Sequence, residues 1–335
     1  LSSWSLRSKA LQTQVMDVLP DTAWQYMTME LYSTFWGLGL SDIDVPRSQY
    51  DKHIKTLKNR ESELLSSRWN NSSGGGPLGI PGQHQGPDPR GVGAMTPKDR
   101  KKEAGKLATA QDNLRKELDS QKERNKKVMG QISIDKGEFF VKLEAVQSTL
   151  SQEPSAPEEQ TVLQKSRATL VSHLVSNMLQ YCIMPRLFLT PEDAVYSAKF
   201  IHLLHSEATP GYSSLQMFDR VVKTVVPSVY CITEREASNL GIFLRAIMVP
   251  LIRWTENRKI YEKEAQALPG FAIRAFEKDG GKKAEFFQYE KVFSSWHGKI
   301  VTTMSQCLAS KEYIEKRAAI NVLLKLADVF PVFTS

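Results

Sequence analysis

The stretch TEREASNLGIFLRAIMVPLIRW, residues 233–254, decides the fold class of this chain. Thr233 followed three residues later by Glu236 is a capping box, which predicts the start of a helix at this point. The apolar residues that follow recur at intervals of three and four, as on one face of a helix: Leu240, Phe243, Leu244, Ile247, Met248 and Leu251. The stretch therefore predicts a long amphipathic helix with one buried face.

The same pattern extends in both directions from this stretch. Thr190 before Pro191 reads as an N-cap with proline at the first helical position. A second apolar row comprises Tyr289, Val292, Phe293, Trp296, Ile300 and Met304. Pairs such as Pro210-Gly211, Pro269-Gly270 and Gly280-Gly281 supply turns between helices. We expect an all-α fold, with residues 151–335 forming an α-solenoid-like stack of antiparallel helix pairs.

Residues 47–150 predict a charged helical hairpin that protrudes from this stack. Its arms flank a Gly/Pro-rich linker at residues 70–97, and both arms show apolar residues at helical spacing. Gln111, Gln121 and Asn125 occupy positions that a heptad repeat would make apolar. We therefore expect an antiparallel pair of helices and not a long, stable coiled coil.

Residues 1–46 form a helical segment that is rich in aromatic side chains. Trp24, Tyr26, Tyr32, Phe35 and Trp36 lie within thirteen residues. Burying these rings requires a large apolar surface, which either the stack of the same chain or another subunit could provide. The candidates for packing against a partner are Trp24, Tyr32, Phe35 and Trp36.

The composition of the 335-residue chain limits its class. No apolar run reaches the roughly 20 residues that a membrane-spanning helix needs, so no membrane association is expected. Cys182, Cys231 and Cys307 are too far apart for a zinc site and odd in number for disulfides, so we expect core thiols in a reducing compartment. Because the chain opens at Leu1 and ends in an apolar helical pattern, we expect a fragment of a larger protein.

No catalytic motif for phosphate binding, nucleophilic catalysis or metalloprotease chemistry occurs in the chain. His202 and His205 could share a metal, but Glu207 is their only close acid, so a structural role is favoured. We expect no enzyme activity, no cofactor, no metal and no small-molecule substrate.

A basic run is the main candidate for a binding surface. It comprises Lys98, Arg100, Lys101, Lys102, Lys106, Arg115, Lys116, Lys122, Arg124, Lys126 and Lys127. Two interpretations stay open, a merely solvated helical arm and a contact with nucleic acid or an acidic protein. Because no aromatic side chains interleave with these cations, any RNA contact would be to phosphates and would be sensitive to salt.

Four blocks, residues 19–58, 184–221, 233–271 and 289–300, resemble the family of THO complex subunit two. The resemblance rests on FWGL followed by DIDVP at residues 35–46, on RLFLTPEDAVY at 186–196, and on RW, YEKE and PGF within 253–271. The Gly/Pro-rich linker is not part of the family pattern.

This resemblance implies a non-enzymatic scaffold module in the nuclear assembly that couples transcription to mRNA export. It implies contacts with other THO subunits and with a DEAD-box RNA helicase during the packaging of transcripts. The alternative function, drawn from the basic arm, is a module that binds RNA or DNA without sequence preference.

Overall fold

The computed structural model of the chain describes residues 19–24, 26–70, 96–139, 157–273 and 281–331. Within these ranges the chain forms helices and turns, and the one β-type contact is an isolated bridge between Ala272 and Lys283. The prediction of an all-α fold is confirmed, whereas the solenoid-like order of the helix pairs stays a prediction. Most of the Gly/Pro-rich linker predicted at 70–97 lies outside the described residues.

The chain divides into two compact units, one formed by Leu1–Ile43 with Lys127–Ser335 and a smaller one formed by Asp44–Lys126. The helices of the larger unit are α1 (Asp21–Trp24), α2 (Met29–Gly37), α3 (Leu40–Ile43), α6 (Pro157–Met178), α7 (Met184–Leu187), α8 (Pro191–Ser206), α9 (Ser214–Arg220), α10 (Glu234–Glu256), α11 (Arg258–Tyr261), α12 (Phe286–Ala309) and α13 (Tyr313–Leu326). The smaller unit contains α4 (Arg47–Asn70) and most of α5 (Pro97–Asp135). Short non-α helical turns join several helices. The π-helical turns are Leu179–Ile183, Val221–Val225 and Glu262–Gln266, and the 3₁₀ turns are Val226–Tyr230 and Pro269–Phe271.

Two helix starts follow the capping chemistry of the sequence. The Thr190 hydroxyl accepts a hydrogen bond from the Asp193 amide, and Pro191 occupies the first turn of α8. At α10 the capping box forms in full, because Thr233 accepts from the Glu236 amide while the Glu236 carboxylate accepts from the Thr233 amide. Both predicted starts are confirmed. Each cap satisfies backbone amides that would otherwise lack partners in the first turn.

The core of the larger unit lies around α10, which packs against α8 and α13, and α13 also contacts α12. All six residues of the predicted α10 row are buried. On α12 the predicted row is buried except for Val292, which is partly buried against the core. The apolar periodicity of both helices therefore identified the buried faces correctly.

One of the three predicted core thiols is not in the core. Cys182 and Cys307 are buried, but Cys231 is exposed. Cys231 follows the helical turn Val226–Tyr230, and its thiol points back to the Ser228 carbonyl oxygen at 3.4 Å. The apolar neighbours Val229 and Ile232 take the buried positions instead, which corrects the prediction for Cys231.

Candidate functional site

The four aromatic candidates of the first segment divide by burial. Phe35 is fully buried and meets the Phe200 ring edge-to-face, with the centroids 5.0 Å apart. Trp24 is also buried, with its ring centroid 5.7 Å from that of Tyr32. Tyr32 and Trp36 are only partly buried and keep exposed surface. A partner contact through this segment stays a prediction, and Tyr32 and Trp36 are the members whose surface a partner could reach.

A buried arginine holds this aromatic segment on the core. The Arg186 guanidinium donates to the backbone carbonyls of Phe35 and Leu38 and forms an ion pair with Asp193, at 2.9 Å. It also lies over the Tyr196 ring, 3.8 Å from the centroid. The sequence does not predict this anchoring role for Arg186, since no local pattern distinguishes a buried arginine from an exposed one.

The smaller unit is a pair of antiparallel helices with a polar seam. The Gln111 amide donates to the Glu61 carboxylate at 2.7 Å, and the Tyr50 hydroxyl donates to Glu117 at 2.9 Å. Gln121 in turn donates to the Tyr50 hydroxyl at 3.0 Å. Two of the polar residues that interrupt the heptad therefore bond across the pair, and these bonds fix its register.

The eleven basic candidates lie on α5, but they do not share one environment. Arg100 is buried, with 8% of its surface exposed, and Lys122 is half-buried. The other nine are exposed: Lys98, Lys101, Lys102, Lys106, Arg115, Lys116, Arg124, Lys126 and Lys127. Lys127 falls just inside the larger unit. The structure thus leaves most of the candidates available to a ligand but places Arg100 in the helix interface.

Three of these cations pair with an acid one turn away on the same helix. Lys106 contacts Glu103 at 3.2 Å, Arg115 contacts Asp112 at 3.3 Å, and Lys122 contacts Asp119 at 3.1 Å. Exposed pairs of this kind contribute only about 0.3–0.5 kcal/mol, so they can be exchanged for a competing anion at little cost. Three exposed lysines of α4, Lys52, Lys55 and Lys58, lie outside the predicted basic run.

His205 is hydrogen-bonded to a serine and to a backbone carbonyl inside the core. Its Nε2 lies 2.8 Å from the Glu264 backbone oxygen, so this nitrogen carries the proton and Nδ1 accepts from the Ser214 hydroxyl, also at 2.8 Å. Burial lowers the pKa of His205 to about 4. Both ring nitrogens are therefore engaged by protein groups inside the core, where His205 is 4% exposed.

His202 is held neutral by the same cause, since burial lowers its pKa to about 3. Across the described ranges, no group of three or more His, Cys, Asp or Glu side chains is arranged to hold a metal ion. None of the described helices combines the length and apolar character required to cross a bilayer.

Comparison with known proteins identifies the family. The model of the family described as "Transcription factor/nuclear export subunit protein 2" matches residues 24–335. THO complex subunit 2 of Arabidopsis thaliana is 31% identical over 95% of this chain, and that of Homo sapiens is 28% identical over 92%. THO complex subunit 2 of Saccharomyces cerevisiae is 25% identical over 46% of the chain.

The chain spans only about 15% of the length of the Arabidopsis relative and 16% of that of the human one. The family match nevertheless covers nearly all of the described residues, including both helices of the hairpin and the whole α10 core. The chain therefore belongs to the family of transcription factor/nuclear export subunit protein 2, which includes the THO complex subunit 2 proteins.

Proposed function

We propose that this chain is a non-enzymatic scaffold module of a nuclear THO-type complex. In this role it holds other subunits and the partner DEAD-box ATPase during mRNP assembly and mRNA export. The observation that carries the proposal is the family match over residues 24–335, with relatives named as subunits of the THO complex. The chain spans only 15–16% of the length of these relatives, so its membership in a THO-type complex is itself part of the proposal.

A surface of the larger unit supports a role in packing against other helices. On α13, Tyr313, Ile320 and Leu324 follow one another at helical spacing and are 64%, 48% and 68% exposed. The opposite face of α13 carries the buried Ala318, which packs into the core. A helix that is apolar on two opposite faces is typical of one that lies between two layers.

The test is a capture experiment with the 335-residue chain and separately purified THO subunits and helicase. Packed apolar faces should keep the complexes together at both low and moderate salt, because screening weakens only charge contacts. A matched variant replaces residues 47–126 with a short Gly/Ser linker and retains the larger unit. If the 335-residue chain and the variant both capture the THO subunits and the helicase, a scaffold built on the larger unit is supported. If neither chain captures them at micromolar concentration, the proposal is contradicted.

A second candidate function is nucleic-acid binding without sequence preference through the basic arm. It is favoured by the basic run of residues 98–127, where eleven cations face six acids and so supply +5 of the chain's net charge of +7. Nine of these cations are exposed. Reversing Lys101, Lys102, Lys126 and Lys127 to glutamate should abolish RNA or DNA binding measured by fluorescence anisotropy. Unchanged affinity would exclude the arm as the binding surface.

A further inference from the structure

We propose that one flank of the α4–α5 hairpin, centred on Lys58, Lys101 and Arg115, binds the phosphate backbone of single-stranded RNA. We call this surface the lysine flank. The proposal rests on the second candidate function above and deepens it, since it assigns the contact to one side of the hairpin. It also adds Lys55 and Lys58 of α4, two exposed lysines outside the basic run of α5.

The buried seam of α5 defines the two flanks. Buried or half-buried positions recur at steps of four and three from Arg100 to Asn125: Arg100, Ala104, Leu107, Gln111, Leu114, Leu118, Gln121 and Asn125. Glu103, Ala108, Ala110 and Lys122, which lie beside this row, are also half-buried. Steps of four and three are the heptad spacing, so residues seven or fourteen apart lie on the same side of the seam. Lys101, Arg115 and Lys122 meet that condition and form one row beside the seam.

The antiparallel register places the matching row of α4 on the same side. Tyr50 bonds with Glu117 and Gln121, whereas Glu61 bonds with Gln111, so α4 and α5 run in opposite directions. A twofold axis relates the two helices of an antiparallel pair. Residues that follow corresponding seam positions on the two helices therefore lie on the same side of the seam. Lys58, which follows the seam residue Leu57, therefore lies on the same side as Arg115.

The charge of the hairpin is concentrated on this side. The lysine flank holds seven cations and three acids: Lys55, Lys58, Lys98, Lys101, Arg115, Lys122 and Lys126 with Asp51, Asp112 and Asp119. The opposite flank holds four cations and four acids: Arg60, Lys106, Arg124 and Lys127 with Glu63, Asp99, Glu103 and Glu117. A helix pair that is merely solvated has no reason to separate its charges in this way.

The same register brings like charges near one another. Lys58 of α4 and Arg115 of α5 are exposed residues on one flank at neighbouring levels of the pair. Like charges across a helix pair repel and lower its stability. A polyanion lying along the flank would remove this repulsion, which gives the bound state an advantage that the free hairpin lacks.

The residues of the flank favour a phosphate backbone over a protein. Protein interfaces are centred on aromatic or aliphatic anchors, and among the described side chains of the smaller unit the one large apolar group that is well exposed is Leu65. Leu65 follows Lys58 by seven residues and so lies on the lysine flank, but it is a single apolar side chain among seven cations. One leucine does not form the apolar centre around which a protein partner would pack.

The shape of the flank favours a single strand over a duplex. The row from Lys101 to Lys122 is straight and roughly 30 Å long at 1.5 Å per helical residue. A flexible single strand can follow this row along its whole length. A rigid duplex turns its phosphates away from a straight row within about half a helical turn.

Two triple variants with equal charge change test the proposal. The flank variant carries Lys58→Glu, Lys101→Glu and Arg115→Glu, and the control carries Arg60→Glu, Lys106→Glu and Arg124→Glu. Each set has one residue on α4 and two on α5, and all six side chains are exposed. Each set includes a cation that pairs with an acid three residues earlier, Arg115 with Asp112 or Lys106 with Glu103.

Binding of a mixed-sequence single-stranded RNA oligonucleotide to the 335-residue chain is measured by anisotropy over a salt series. The flank variant should bind at least about tenfold more weakly, and its salt slope should fall by about 2, as expected for the loss of three phosphate contacts. The control should change affinity by less than about threefold. Duplex DNA of the same length should bind the unaltered chain more weakly than the RNA.

Equal losses in both variants would overturn the proposal, because net charge alone would then explain binding, and so would an absence of RNA binding by the unaltered chain. Preference for the duplex would overturn the assignment to a single strand. Circular dichroism melting checks that both variants fold, and Lys58→Gln, Lys101→Gln and Arg115→Gln provide a milder set if they do not. Capture of THO subunits, measured in parallel, should survive in both variants, so that failure of the scaffold role is seen separately.

Discussion

Gly241 of α10 faces the backbone of Val322 of α13 with no space for a side chain between them. A Cβ atom at Gly241 would lie 2.9 Å from the Val322 carbonyl oxygen and 2.8 Å from Lys325 Cβ. This close approach allows α10 and α13 to pack together at the centre of the larger unit. A glycine that weakens an isolated helix thus permits its tertiary contact.

The Gly241→Ala variant should therefore be destabilised. Its methyl group meets backbone, which cannot rotate away, so α10 and α13 must separate at a cost of about 1–3 kcal/mol. The control is Gly298→Ala on α12, where an added Cβ meets nothing within 4 Å. That substitution should stabilise by about 0.5–1 kcal/mol through helix propensity. Urea unfolding measures both, and an equal response of the two glycines would contradict the packing argument.

Arg186→Lys should destabilise the larger unit although it keeps the charge. A lysine cannot reach the Phe35 and Leu38 carbonyls and the Asp193 carboxylate together, which the planar guanidinium does. Leaving these buried groups unpaired should lower the free energy of unfolding by about 3 kcal/mol.

The control for this substitution is Arg235→Lys, an exposed arginine that also donates to a backbone carbonyl, that of Leu189. It should change the free energy of unfolding by less than about 0.5 kcal/mol. A thermal melt followed by circular dichroism compares the two variants. Equal melting temperatures would show that Arg186 does not anchor the aromatic segment.

Stability should fall as the pH drops from about 6.5 towards 4. Burial lowers the pKa of His205 to about 4 in the folded chain, while an unfolded histidine has a pKa near 6.5. Between these values the unfolded chain binds the additional proton, so acid favours unfolding. His202, whose pKa is lowered to about 3, acts in the same direction.

The His205→Gln variant should show a flatter dependence of unfolding free energy on pH, by on the order of 3 kcal/mol across this interval. Its stability at pH 7 should also be lower, because the bonds to Ser214 and Glu264 are altered. His53→Gln, an exposed residue of α4, is the control and should retain the original curve. Urea titrations at several pH values give the comparison, and an unchanged slope for His205→Gln would contradict it.

The exposed apolar row of α13 should matter for assembly and not for folding. Ile320→Ser with Leu324→Ser changes side chains that are 48% and 68% exposed, so the melting temperature should move little. Capture of THO subunits should weaken at least about tenfold if this face packs against one of them. Lys299→Ser, an exposed change on α12, should leave capture intact. Full capture by the double variant would assign the contact to another surface.

The sequence by itself determined the helical class and the buried faces of the main helices. Apolar spacing of three and four and the caps at Thr190 and Thr233 are local properties, because they depend on the helical period and on backbone amides of the same turn. The same residues carried the family resemblance, which the comparison confirmed.

Tertiary structure alone decided which polar residues belong inside. Gln111 is buried because Glu61 lies across the seam, and Arg186 is buried because the Phe35 and Leu38 carbonyls lie within its reach. Those partners are distant along the chain, so no local pattern contains them. The one-sided charge of the hairpin has the same origin, since it depends on the register between α4 and α5, which only the cross-helix hydrogen bonds fix.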